Sequence, residues 1–305
     1  MKRQQAGAAL LLAMLTVSLV AIFAAGAFWR QWQEIEVTSA ERARVQARWI
    51  LISTRDWARS ILREDAIRGP ADNLAEQWAM PIQEISLSTF LQNPNASTED
   101  ADSKLSLQIN DLQSRINLRN LMEAGTTANL ELRKLEKLFD LLKLDREQLN
   151  QLASAAGGQA AGINGQTSQL LPQSMNELAW LGLSPATIAS LKPYVILLPE
   201  QTPVNINTAS AIVICASMES LDLSDATRLV VARSKSPFRS LNEAAQALGE
   251  QGAELNEGRF SIASRFFELD SRLQLNLSPV RERVILQRDK TDVKVLWSEY
   301  GTASL

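Results

Sequence analysis

No charged residue stands between Arg3 and Arg30, and no proline stands before Pro70. The stretch from Ala8 to Phe28, LLLAMLTVSLVAIFAAGAF at its centre, is long enough to cross roughly 30 Å of hydrocarbon as a helix. Lys2 and Arg3 precede it, which by the positive-inside rule leaves the N-terminus in the cytoplasm and carries the rest of the chain across. Trp29 and Trp32 suit the far interface. A secretory signal peptide would end in an extended small-residue cleavage segment. Here AAGAFWRQW runs on into charged, helix-compatible sequence instead.

The apolar pattern outlasts the membrane. Ala40, Ala43, Ala47, Ile50, Thr54, Trp57 and Ile61 are spaced by threes and fours, which places them on one stripe of a helix. Glu41, Arg42, Arg44, Arg48, Arg55 and Arg59 fall on the other faces. One helix from Ala8 to about Leu62 would be roughly 80 Å long. The stripe is expected to back onto the chain's own soluble part, with room for neighbouring subunits beside it.

The inventory excludes several chemistries. Histidine is absent and Cys215 is the one cysteine, so a Ser-His-Asp triad, imidazole catalysis, a multi-cysteine zinc site and an internal disulfide are ruled out. Cys215 lies in the apolar run ASAIVICASM and reads as a small buried hydrophobe. The net charge of -3 argues against attachment to nucleic acid by a broad basic face. No carboxylate pair has a supporting nucleophile or cofactor motif, so no enzyme activity is expected.

Beyond the helix, PIQEISLSTF and SKLSLQINDL alternate apolar with polar residues as half-buried strands do, and NPNASTEDADS between them has loop composition. From Leu118 to Ala155 the period becomes helical. AAGGQAAGINGQTSQ then reads as a flexible segment, and MNELAWLGLSPATIASLKPYVILLP as short helices broken at Gly182, Pro185 and Pro193. SIASRFFELDSRLQLN and RERVILQRDKTDVKVLWSEYG return to alternation. Strands, helices and strands again give an α+β fold, an antiparallel sheet interrupted by an all-helical insertion. Trp49, Trp57, Trp78 and Trp180 are expected in core or interface.

Two further segments carry candidate chemistry. VNINTASAIVICASMESLDLSDATRLVVARSKSPFRSLNEAAQAL looks like a helix-hairpin-helix (SAM-like) module, with Asn205 and Asn207 leading in, Thr208 or Ser210 at a helix start and Ala226 to Arg233 as the second helix. A DNA-binding version needs glycines in the hairpin, and MESLDLSDA offers Glu219, Asp222 and Asp225 there instead. Arg228, Arg233, Lys235 and Arg239 form a local basic run, read as part of a solvated helix pair. Asp100 and Asp102, and Asp140 and Asp145, could supply oxygen ligands to Ca²⁺, but their spacing does not match an EF-hand loop. No cofactor is predicted.

A short basic leader ending in Gly7, a small Ala8, an uncharged helix and an amphipathic extension resemble the class III signal of type IV pilins and type II secretion pseudopilins. That resemblance implies cleavage by prepilin peptidase between Gly7 and Ala8 and N-methylation of Ala8. It also explains a leader that ends before the greasy run, since the run is retained. Pilin-like proteins mostly carry glutamate as the fifth mature residue, whereas this chain has Leu12. Lack of that glutamate is a feature of the minor pseudopilin general secretion pathway protein K, and DNLAEQWAMP, LSLQINDLQSRINLRNLME and PVNINTAS are similar to successive blocks of that family.

The resemblance implies a leader (1–7), a transmembrane helix (8–28), an amphipathic extension (29–64), a first part of a pseudopilin α+β domain (65–122), an inserted α domain (123–256) and C-terminal strands (257–305). It implies a structural role at the tip of a periplasmic pseudopilus with minor pseudopilins of the I and J types, whose long helices would pack along the stripe at Ala40 to Ile61, and an inner-membrane location. In that family an acidic stretch between helices is associated with bound calcium, whereas AAGGQAAGINGQTSQ has no acidic residue. The alternatives are a membrane-anchored helix-hairpin-helix DNA-uptake receptor, a minor pilin of a type IV pilus and an anchored periplasmic enzyme.

Overall fold

A computed structural model describes residues 5–91, 103–123, 128–160, 172–275 and 278–302. Two compact units emerge, Met1–Ser53 and Thr54–Leu305. A single helix, α1 (Gln5–Arg68), runs through the first and into the second. Its unbroken run follows from the absence of proline and the alanine, leucine, glutamate and arginine content, all strong helix formers. From Ala9 onward it holds an apolar window long enough to cross a membrane.

The second unit is built on a five-stranded antiparallel sheet of order β1-β2-β7-β8-β9. Its strands are β1 (Ile82–Ser86), β2 (Lys104–Asp111), β7 (Phe266–Leu275), β8 (Ser278–Asp289) and β9 (Asp292–Thr302). Alternation sets the faces. Leu105, Leu107 and Ile109 of β2 and Phe267, Leu269, Ser271 and Leu273 of β7 are buried, while Lys104, Gln108, Arg272 and Gln274 are exposed. β8 and β9 join through a tight turn in which Lys290 adopts φ 54°.

PIQEISLSTF departs from its expected form. It is strand only to Ser86, whose hydroxyl then accepts a bond from the Thr89 amide and starts a short helix, α2 (Leu87–Phe90). The cap satisfies an amide that the ladder would otherwise have to pair, and the chain turns to helix there although Thr89 and Phe90 favour strand.

The C-terminal part of α1 lies on the buried face of this sheet. Ala58, Ile61 and Leu62 join Trp78, Ile109, Phe267, Leu269, Val284, Leu286 and Val293 in one apolar cluster, with the Trp78 and Phe267 rings edge to face at 5.2 Å. Polar groups flank it. Thr54 Oγ1 meets Ser271 Oγ at 3.1 Å, Arg55 pairs with the buried Glu282, and Arg59 and Arg63 donate to the carbonyls of Val293 and Thr291. Arg55 and Arg59, which the sequence alone places off the apolar stripe, are with Arg63 clasps on the sheet.

Between β2 and β7 the chain folds into helices around a second core. They are α3 (Arg119–Met122), α4 (Ala128–Leu142), α5 (Arg146–Ala160), α6 (Pro185–Leu191), α7 (Ala211–Ser217), α8 (Leu223–Lys235) and α9 (Leu241–Leu248), with parallel two-residue bridges β3 (Ile116–Asn117) to β4 (Val195–Ile196) and β5 (Val204–Asn205) to β6 (Phe260–Ser261). Leu135, Leu138, Phe139, Leu152, Leu178, Ile214 and Phe260 are among its buried members. Gly182 closes the turn before α6 with φ 93°, and a Cβ there would meet Gln151 Oε1 at 2.3 Å. Pro185 is the first residue of α6 behind the Ser184 cap, a start signal where the sequence suggested a break.

Truncating Leu62, fully buried in the first cluster, to alanine is expected to lower the unfolding free energy by about 2–5 kcal/mol. The same change at the exposed Ile67 should cost under about 0.5 kcal/mol. Urea denaturation of the detergent-solubilised chain followed by tryptophan fluorescence measures both.

Candidate functional site: a buried joint and a self-occupied hairpin

The NINTAS block enters the structure as a joint between the helical part and the sheet. Asn205 is fully buried, and its side-chain amide faces Ser264 Oγ at 2.9 Å, Asp111 Oδ2 at 3.1 Å and the Asp72 carbonyl at 3.3 Å. Its own Oδ1 accepts from the Asn207 amide. Asn207 in turn exchanges two bonds with the backbone of Phe238, fixing the SPF cap. Thr208 and Ser264 hydroxyls both donate to Asp111 Oδ2, and the Gln113 amide donates to Oδ1.

Beside Asp111 lies Arg288, at the end of β8. Its Nη2 reaches both oxygens of Asp72 at 2.6 Å and the Ser264 carbonyl at 2.9 Å, and its Nη1 reaches Asp65 at 3.0 Å. The guanidinium also stands over the Phe267 ring, 4.9 Å from its centroid. Three segments therefore converge on this β8 cation: the end of α1, the Asp72 loop and the stretch from Ser264 into β7. Asp65, Asp72 and Glu76 have carboxylate oxygens within 4.8 Å of one another and could by donor type hold a metal ion. Arg288 already neutralises the first two, and Glu76 accepts from the Asn73 amide and Trp78 Nε1.

Burial pushes the Asp111 carboxyl up, with its hydroxyl and amide donors opposing. Burial pushes Asp72 up to about 7 even though Arg288 pulls it down, and the Asp111 charge adds to the rise. The Arg288 guanidinium opposes that rise at Asp72, whereas at Asp111 hydroxyl and amide donors do so.

The helix-hairpin-helix segment has the predicted outline. Ser210 caps α7 through the Val213 amide, Asp222 caps α8 through the Asp225 amide, and the Cys215 thiol is buried and held up by that burial. Its hairpin is already occupied from within the chain. The amides of Glu219 and Ser220, placed where a phosphate would be received, both donate at 2.8 Å to the carboxylate of Glu254. Lys137 Nζ from α4 sits among the carbonyls of Met218, Glu219 and Leu221 at 2.6, 3.3 and 2.6 Å. Burial alone would raise Glu254, but the Ser220 and Glu219 donors and Arg259 outweigh it and hold the carboxyl low. In the basic run, Arg233 is buried against the Ile206 carbonyl and brought down to about 10 by that burial, and Arg228 pairs with Asp225. These contacts leave little for a nucleic-acid backbone.

The other sequence candidates are placed as follows. Gly7, Ala8 and Leu12 lie in the helical backbone of α1. Of the predicted packing stripe, Ala47, Ile50, Thr54 and Ile61 are buried, Trp57 and Ala43 are half-buried and Ala40 is exposed. Thr54 and Ile61 are taken up by the sheet. Asp100 and Asp102 lie outside the described residues, as does AAGGQAAGINGQTSQ beyond Ala160. Asp140 is engaged at both oxygens by Arg146, and Asp145 caps the Glu147 amide. Trp78 is core, whereas Trp49 and Trp180 are exposed. Asp72, Asp111, Arg288, Lys137 and Glu254 escaped the sequence reading. A lone charge at an otherwise apolar strand position, as Asp111 is after Leu105, Leu107 and Ile109, was the available signal.

Two outcomes follow for the joint. Both carboxyls sit above their unfolded values, so the folded chain binds more protons than the unfolded one between about pH 4 and about pH 7. Their contribution to stability is complete at the acid end and is lost as pH rises to about 7. Asp111→Asn, which removes one of the two raised carboxyls, should flatten part of that fall in a series of urea melts, while Arg288→Met, leaving Asp72 buried and unpaired, should cost about 3–5 kcal/mol.

Comparison with known proteins was made on this geometry. Residues 204–263, the span from NINTAS through Glu254 to the last bridge strand, match the family described as type II secretion system (T2SS), protein K. The type II secretion system protein K of Pseudomonas aeruginosa is 27% identical over 100% of this chain and 96% of its own length. That of Aeromonas hydrophila is 27% identical over 92% of each chain, and that of Klebsiella pneumoniae is 24% identical over 99% of this chain and 98% of its own. The fold is similar to a chain in the crystal structure of the GspK-GspI-GspJ complex from the enterotoxigenic Escherichia coli type 2 secretion system, with a TM-score of 0.67 and 19% identity over 87% of this chain and 99% of that one. A family match from NINTAS through the hairpin and similarity along nearly the whole chain agree, and the chain is similar to type II secretion system protein K.

Proposed function

We propose that the chain is a structural minor pseudopilin that sits at the tip of a type II secretion pseudopilus, beside minor pseudopilins of the I and J types, and nucleates its assembly. The observation that carries this reading is the single long helix that holds a membrane-length apolar window and whose end, at Ala58, Ile61 and Leu62, packs on a sheet bearing a large helical insertion. An insertion of that bulk would crowd a repeated lattice, and a terminal position relieves it. Leu12 fits the same position, since a subunit with nothing beyond it needs no carboxylate for the next one.

The precursor would be held in the inner membrane with its N-terminus in the cytoplasm and its folded part in the periplasm. Prepilin peptidase would cut between Gly7 and Ala8 and methylate Ala8. The chain would then act by packing and by lifting its neighbours. The DNA-receptor alternative is weakened by the hairpin, whose amides and carbonyls are taken by Glu254 and Lys137.

N-terminal mass spectrometry of the membrane-extracted protein should find a mature chain starting at methylated Ala8, and Gly7→Asp should keep the leader. A start at Met1 or after Ala27 would overturn the assignment. Titration of the purified chain with fluorescently labelled duplex at low salt should leave the anisotropy unchanged at micromolar concentration, whereas binding that falls steeply with salt would favour the receptor.

A further inference from the structure

Charges crowd the hairpin, and most are matched at close range. Arg133 reaches both carboxylate oxygens of Glu219, the buried Lys134 pairs with Glu131, and Arg228 pairs with Asp225. Asp222 caps α8, and Lys137 is spent on carbonyls. Arg259, just before β6, is left short. Its Nη2 donates to the Ser217 carbonyl at 2.5 Å, but Nη1 stands 3.8 Å from Glu254 Oε2, beyond bonding length, and the buried Nε has no acceptor among the described residues. A buried guanidinium with a free donor is costly. Its charge is felt nearby, for burial pushes the Lys134 ammonium down and Arg259 adds to the fall.

The shortfall follows from the shape of the group that fills the turn. Glu254 gives Oε2 to the Glu219 amide and Oε1 to the Ser220 amide, each at 2.8 Å. A planar carboxylate then has no oxygen left to turn toward Arg259. A tetrahedral oxyanion does: two of its oxygens can take the amides while another meets the guanidinium. Adjacent amides in a turn, together with an arginine, are receptors for phosphate.

We propose that the amides of Glu219 and Ser220 and the Arg259 guanidinium form a site for a phosphate group, and that Glu254 keeps it closed by occupying it from within. The contact is autoinhibitory. Glu254 is delivered by the strap that follows α9, Gly249–Glu254, and a tethered carboxylate outcompetes a free ion through its high local concentration. Its side chain is 23% exposed, so the site lies at the surface and is reached once the carboxylate withdraws. A free carboxylate would leave Arg259 as Glu254 leaves it, which separates phosphate from acetate. The site stands apart from the pseudopilin reading, and its failure would leave that reading untouched.

The test titrates the full chain in detergent, unaltered and as Glu254→Ala, with sodium phosphate or sodium acetate by isothermal calorimetry at constant ionic strength. The unaltered chain should give no saturable heat. Glu254→Ala should show one saturable site that prefers phosphate to acetate by about tenfold or more, and adding Arg259→Met should weaken phosphate binding by about tenfold or more. Resistance to proteolysis confirms that each variant is folded. Should Glu254→Ala be degraded, Glu254→Gln, which keeps the shape and removes the charge, takes its place. A folded Glu254 variant that binds no phosphate would overturn the proposal. So would saturable phosphate binding by the unaltered chain, acetate binding as tight as phosphate, or indifference to Arg259→Met.

Discussion

Arg288 is the group on which the rest of the second unit depends. A guanidinium this far from water is tolerated only when its donors are met and its charge opposed, and here Asp72, Asp65 and the Ser264 carbonyl supply both. Because those partners come from the end of α1, the loop after it and the segment leading into β7, the charge can be satisfied in one arrangement of the chain. Asp111 extends the same logic to the helical part, since its remaining donors are Thr208 and Asn205. A misplaced insertion would leave an ionisable group buried and unmet. The polar joint thus fixes where the helices sit, while the apolar clusters on either side supply most of the binding energy.

The same principle operates at smaller scale in the hairpin. Two amides and three carbonyls pointing outward from a turn are a receptor for ions of both signs, and leaving them to water while packing helices around them would be costly. Glu254 and Lys137 fill the two positions from within the chain. A backbone geometry suited elsewhere to holding phosphate becomes an internal fastening that binds α4 and the Glu254 loop to the α7 and α8 pair. A protein that works by shape and by contact gains rigidity from that exchange, and the reading of the chain as a structural subunit agrees with it.

Much of the architecture was legible because it rests on periodicity. The uncharged run before Arg30, the alternation of SKLSLQINDL and RERVILQRDK and the helical period from Leu118 each report which side of an element meets apolar surroundings. Short-range capping was less visible. LSTF continued an alternating pattern, yet Ser86 turned it into helix, and Pro185 marked a beginning where an interruption was expected. The joint was the hardest to foresee, since Asp72, Asp111, Asn205, Ser264 and Arg288 are scattered over more than two hundred positions, and a single charge in a strand carries no sign of what will face it.

The sequence by itself determined the long helix with its membrane-length segment, the alternating strands, the helical insertion and the absence of histidine and paired cysteine, because these follow from local spacing and inventory. Tertiary structure alone decided which arginines would clasp the sheet, that Glu254 and Lys137 would close the hairpin, and that Asp72, Asp65 and the Ser264 carbonyl would meet on Arg288. The reason is physical. Local pattern fixes which face of an element is apolar, but the partner of a buried charge depends on segments that only the completed fold brings within a few ångströms.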